Sequence, residues 1–305
     1  MWIGARPPID RPGEPAGRRC GAMVERYPFL VSVPHGGLGV PEEVADRLYL
    51  SIPDLVRLSD PATIDLFDYR GRIEAWTAVP VSRMVVDVNR SPFDLPPRRS
   101  DGVVKRMTIE GRPVYLPGQE PPIDLVHRLM MEHYFPFHEG IDHRIDEDGV
   151  RVAFDCHSMM DCGPPNAPDA GQARPEICLG NHGDTSGAPR PHRLATCPAS
   201  WIVALAGAFR NEFPSAAVSI NRPYAGGFTT IAHYWHRGVP YIQIEVNRSL
   251  YESPEGTVDL NRLQDLRERT WRALVAFWEV VGDEEPGHPR GERRQHGARM
   301  RSCRS

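Results

Sequence analysis

The sequence predicts an α/β protein built on a largely parallel or mixed sheet. Short apolar runs alternate along the chain with longer stretches of helical period, and several runs are apolar on both faces, as strands covered from two sides must be. Four of the runs end in polar residues, and the crevice outside the carboxyl ends of its strands is where an open α/β sheet binds ligands.

The first strand is FLVSV from Phe29, which runs into Pro34-His35-Gly36-Gly37. WTAVPV from Trp76 and RMVVDV from Arg83 follow, the latter running into Asn89-Arg90. RVAFDC from Arg151 leads into His157-Ser158, EICLG from Glu176 and AAVSI from Ala216 come next, and PYIQIEV from Pro240 ends in Asn247-Arg248. Val126, Met130, Tyr134, Phe137 and Ile141 step by three or four and predict a helix that Pro136 should kink. Leu260, Leu263, Leu266, Trp271, Leu274 and Trp278 mark a final amphipathic helix that closes the core. The stretches Ser91 to Pro122 and Asp161 to Pro175 lack periodicity and read as long loops, either functional lids or disordered segments.

Residues 1–22 and 283–305 are polar and rich in Pro, Gly or Arg; both read as disordered tails around a single catalytic domain at 23–282, with Met23 a candidate start residue. The formal net charge of -4 gives no basic field for nucleic acid or an anionic membrane, so a small-molecule partner is expected. No apolar run is long enough for a membrane span or a secretory signal, and the six cysteines form no CxxC pair. A cytoplasmic protein with reduced thiols is expected. Its oligomeric state is left open.

His35 is presented from a turn beside two glycines, and His157 from the end of another strand. With nearby carboxylates they suit an open zinc site of three protein ligands and one water. No HExxH helix occurs. Glu245 lies inside an apolar strand, where it must meet a cation, a metal or a hydrogen-bond donor, or give up its charge. Strand alternation sets Asp87 with Asn89, Asp155 with His157, and Gln243 with Glu245 and Asn247. Asp60, before Pro61, is either an acidic ligand or a helix cap, with Asp65 in reserve. His233 and His236, spaced i, i+3, and the scattered His127, His133, His138 and His143 are assigned no role.

The ordered set VPHGG, SRMVVDVNR, FDCHSM, LGNHGDTS, NRPYAGGFTTIAHYW and IQIEVNRSLY resembles the N-formylglutamate amidohydrolase family from Phe29 to Tyr251. The resemblance implies a three-layer α/β/α, phosphorylase/hydrolase-like fold related to zinc carboxypeptidases and aspartoacylases. It implies one divalent metal, zinc, held by His35, His157 and an acid that counts back from Leu66-Phe67 to Asp60. At that point the chain departs from the family pattern, with Pro61 in place of an aromatic and Ser59 in place of the first acid. It further implies Glu245 as general base and acid, Arg83 as oxyanion stabiliser, and Asn89 and Arg90 as a grip on a substrate carboxylate. Arg222, Gly226 and Gly227 are implied as further substrate contacts. The implied reaction is hydrolysis of an N-acyl amino acid, N-formyl-L-glutamate to formate and L-glutamate, in histidine degradation or a secondary pathway. Another N-acyl amino acid or small peptide is the alternative, and a non-catalytic carboxylate-binding protein a weaker one.

Overall fold

The computed structural model describes residues 26–284. Met23 and the expected tails lie outside them, apart from Asp283 and Glu284. Glu284 is tied to the core instead, its carboxylate accepting a hydrogen bond from Trp201 Nε1 at 2.7 Å.

Among the described residues six strands form one sheet: β1 (Tyr27–Val33), β2 (Ile73–Ala78), β3 (Val152–Met159), β4 (Ile177–Gly180), β5 (Val218–Ile220) and β6 (Tyr241–Asn247), in the order β2-β1-β3-β6-β4-β5. All neighbouring pairs run parallel except β4 and β6. This is the mixed, mostly parallel α/β sheet the alternating pattern predicts.

Three short helices, α1 (Glu42–Ala45), α2 (Ile52–Leu58) and α3 (Thr63–Leu66), join β1 to β2. A helix from Ile123 to Glu147 lies between β2 and β3: α4 (Ile123–Leu129), a π turn at Met130–Tyr134, and α5 (Phe135–Glu147). The disturbance expected from Pro136 takes the form of that wider turn just ahead of it, since proline has no N–H to continue the ladder. Then come α6 (Ala199–Glu212), α7 (Phe228–Arg237) and α8 (Leu260–Val281).

One face of the sheet packs Phe154, Cys156, Ile242 and Ile244 against Trp201 and Phe209 of α6 and Leu274 and Phe277 of α8. The other sets Leu30, Ala153 and Tyr241 against Val126, Phe137 and Ile141 of the long helix. Because alternate side chains point to opposite faces, Ser32, Asp155, His157, Gln243 and Glu245 all fall on this second face, toward the carboxyl ends of β1, β3 and β6.

Two sequence expectations change. RMVVDV is no strand: Val85 N and Val86 N both bond Ser82 O, coiling the segment into a turn, while Asp87 N donates to Val103 O at 2.7 Å. Its apolar residues are buried beneath the 91–122 loop instead of in the sheet, an ambiguity any short apolar run carries. The strand read at Trp76 begins at Ile73 and stops at Ala78, short of Pro80, whose nitrogen cannot donate to a ladder.

Candidate metal centre

Just past β1, Pro34 turns the chain so that His35 points across the sheet end. His35 Nε2 donates to Asp87 Oδ1 at 2.8 Å, which leaves Nδ1 as the lone-pair nitrogen. That Nδ1 is buried without a hydrogen-bond partner and lies 3.6 Å from Asp60 Oδ2. On β3, His157 repeats the arrangement: Nε2 is 2.9 Å from Asp155 Oδ2, and Nδ1 is 3.0 Å from the same Asp60 oxygen. The ligand atoms of His35, Asp60 and His157 all lie within 4.8 Å of one another.

The residues suit a divalent metal. Zinc bonds of ~2.0–2.1 Å in a tetrahedral site set ligand atoms about 3.3 Å apart, and the two measured spacings bracket that value. An orphaned imidazole nitrogen turned toward a carboxylate lacks what a cation supplies. Each ring also rests on a carboxylate from behind, the pairing that fixes tautomer and orientation in metal-binding histidines. Asp60 reaches the centre because α2 ends at Leu58 and the chain continues extended through Ser59. It caps nothing with its side chain: α3 starts only at Thr63, with Ala62 ahead of it. Asp65 is exposed on α3 and takes no part.

Charge is dense here and largely paired. Burial opposes ionisation of Asp87, yet Lys105, His35 and Arg83 hold its carboxyl well below the usual range. Lys105 Nζ is 2.9 Å away and Arg83 3.3 Å. Asp60 behaves alike, with burial outweighed by the two imidazoles and Arg83. Burial also opposes a charged His157, but Asp155 and Glu245 raise its pKa well above the ordinary value, so the centre calls for a positive charge.

Glu245 stands beside His157 in the β3–β6 ladder. Burial raises its pKa to about 7 against the attraction of His157, and Gln243 Nε2 donates to its Oε1 at 2.7 Å. Both line a cleft of ≈ 720 Å³ together with Arg83, Arg90 and Arg222. Arg83 spans Asp60 and Asp87, and Arg90 binds Asp101 at 2.6 Å. Arg222 is exposed and forms no ion pair with a described residue. The Asn89 amide is turned inward: Nδ2 is 3.2 Å from Asp155 Oδ2, and Oδ1 accepts from Thr229 N at 2.9 Å. Gly226 and Gly227 let backbone pack on side chains. A Cβ at Gly227 would sit 2.3 Å from the Asn89 amide, and one at Gly226 2.3 Å from the His182 ring.

The structure thus brings His35, Asp60, His157, Glu245 and Arg83 together, with Arg90, Arg222 and the two glycines on the walls. Sequence reasoning missed Lys105, a buried lysine in an aperiodic loop, and the bracing roles of Asp87 and Asp155. It also set aside His138, His233 and His236, which share a network with Asp142.

Residues 27–252 match the family model for N-formylglutamate amidohydrolase. Two curated relatives are N-formylglutamate deformylases. The one from Pseudomonas putida is 28% identical over 144 residues, covering 44% of this chain and 52% of the relative. The one from Pseudomonas aeruginosa is 30% identical over 141 residues, covering 44% and 53%. The chain spans about half the length of these relatives. Among solved structures, the N-formylglutamate amidohydrolase of Ralstonia eutropha JMP134 superposes with a TM-score of 0.63 at 20% identity, over 85% of this chain and 96% of the other. A gene product of Agrobacterium tumefaciens gives 0.60 at 18% identity, over 85% and 91%. These two likenesses show a shared fold, and with a family model that spans most of the sequence, the chain belongs to the N-formylglutamate amidohydrolase family.

Proposed function

We propose that the protein hydrolyses the amide bond of an N-acyl amino acid, with N-formyl-L-glutamate as the substrate and formate and L-glutamate as products. The observation that carries this reading is the buried His35–Asp60–His157 cluster with Glu245 at its side. His35 Nδ1, Asp60 Oδ2 and His157 Nδ1 would hold one zinc ion, which supplies a water acidified toward a pKa of about 7 and a polarised acyl oxygen.

Glu245 takes the proton from the attacking water and delivers it to the amine nitrogen, which must be protonated to leave. A carboxyl group poised near neutrality, at about 7, is matched to both halves of that task. Arg83, pinned by Asp60 and Asp87, faces the cleft as a fixed cation for the oxygen that becomes negative. Arg222 meets the substrate carboxylate, supported by its exposed, unpaired position on the cleft wall. Arg90 completes the grip if Asp101 releases it, and Asn89 contributes by holding the centre. The free thiols of Cys156, Cys162, Cys178 and Cys197 accord with a reducing cytoplasm.

The test combines a zinc assay with turnover of N-formyl-L-glutamate against a panel of N-acyl amino acids and small peptides. Stoichiometric zinc and preference for N-formyl-L-glutamate are expected. Zinc retained at unchanged affinity by His157→Ala would show that the site is elsewhere, and preference for another acyl group would reassign the substrate.

A further inference from the structure

Two histidines outside the candidate metal centre lie end to end on the second face of the sheet. His138 Nε2 is 3.0 Å from the Val88 carbonyl oxygen, His138 Nδ1 is 2.9 Å from His233 Nε2, and His233 Nδ1 is 2.7 Å from Asp142 Oδ1. Hydrogen-bond chemistry sets the protons in this row. The carbonyl and the carboxylate only accept, so both outer nitrogens carry a proton, and the nitrogen pair between the rings shares a single one. Three protons on two rings make one imidazolium. Its lower-energy place is the ring beside the carboxylate, His233.

We infer that Asp142, His233 and His138 form a strut, locked by this proton count, that positions Asn89 and through it Asp155 and His157. The strut ends on Val88, the residue before Asn89. Tyr134, from the π turn of the same long helix, donates its hydroxyl to Arg90 O at 2.7 Å, so the Val88–Arg90 turn is held at two carbonyls. The Asn89 side chain then joins α7, through Thr229 N, to Asp155 Oδ2, the oxygen that His157 Nε2 also meets. His233 rides on α7 as well, so the strut fixes the distance between the two helices that meet at Asn89.

The remaining groups around Asp142 fit a brace better than a second cation site. His236 Nδ1 lies 2.8 Å from Oδ2, and Arg237 Nε 3.3 Å from Oδ1, so the carboxylate is already surrounded by donors and positive charge. The two rings are near coplanar, with centroids 5.1 Å apart and an interplanar angle of 23°, so they meet edge to edge through the two nitrogens that share the proton.

Two measurements on the full-length zinc-loaded protein test the inference, and only the second depends on the metal reading. Nitrogen NMR of 15N-histidine-labelled protein, assigned with His138→Gln and His233→Gln, should show His233 protonated on both nitrogens and His138 on Nε2 alone. A His233 ring carrying a proton on one nitrogen alone overturns the proton count. Zinc affinity, read by competition with a chelating dye, should fall about tenfold in Asp142→Asn and in Asn89→Ala, in the range known for groups behind metal ligands. The double variant should bind zinc no more weakly than Asn89→Ala alone, because the strut acts through that side chain. Additive losses would make Asp142 merely structural and overturn the positioning role. If the wild-type protein holds no zinc, the proposed function and the positioning role both fall, and the NMR result still decides the proton row.

Discussion

His157 and Glu245 are register partners on neighbouring parallel strands, a candidate ligand and a candidate proton carrier fixed side by side by the backbone ladder itself. Neither depends on a loop for its placement, so the spacing between these two side chains is as rigid as the sheet.

Replacing Glu245 by Gln should therefore leave zinc content unchanged and reduce turnover by roughly 10²-fold or more, the range of general acid–base catalysis. Steady-state kinetics beside metal analysis checks this. Near-normal turnover would remove Glu245 from the proton pathway.

Gly227→Ala should be costly although its backbone is unstrained, because the added Cβ meets the Asn89 amide. A loss of about 1–3 kcal/mol is expected from such overpacking, together with weaker zinc binding. Gly140→Ala on α5, where a Cβ meets nothing within 4 Å, is the control; it should be neutral or stabilising by up to about 1 kcal/mol. Urea unfolding of the two variants separates local crowding from glycine's general effect.

Arg222→Ala should raise KM roughly tenfold or more with little change in kcat, the pattern of a lost ground-state contact to a charged group. A fall in kcat at constant KM would instead tie Arg222 to the transition state.

Acid should destabilise the metal-free protein through His138. Burial and the neighbouring His233 push its pKa down from 6.5 to about 4, so the unfolded chain binds this proton more readily than the folded one. The contribution is present in full above pH 6.5 and is lost as pH falls toward 4, amounting to about 3 kcal/mol over that window. Urea titrations at about pH 7 and about pH 4.5 should show a smaller pH effect in His138→Gln than in the wild type; equal slopes would contradict it.

Much of this was legible in the sequence for a simple reason. Strands β3 and β6 are written as apolar runs in which polar residues recur every second position, so Asp155 with His157 and Gln243 with Glu245 share a face by pleating alone. The candidate metal-ligating histidines, His35 and His157, sit at or just past the ends of apolar runs. RMVVDV defeated the same reasoning because burial under a loop demands apolar residues as firmly as burial in a sheet. The His138–His233 contact was invisible for another reason: its members are 95 positions apart on different helices, and facing arguments consider one helix at a time. Lys105 left no trace, since nothing local marks a lysine whose charge is absorbed by Asp87 and Asp101.

The reversed direction of β4 has a consequence for what lines the cleft. Because β4 runs against β6, Ile177 at its start pairs with Val246 near the end of β6, and the chain enters the sheet from the cleft side. The segment that leads in, with Pro164, Ala167, Gln172 and Arg174 among its lining residues, is thereby made a wall of the cleft. Its last residues are tied to the sheet, Asn247 Nδ2 donating to Arg174 O at 3.3 Å and to Pro175 O at 3.2 Å, so this wall of the cleft is anchored two residues beyond Glu245 on the same strand.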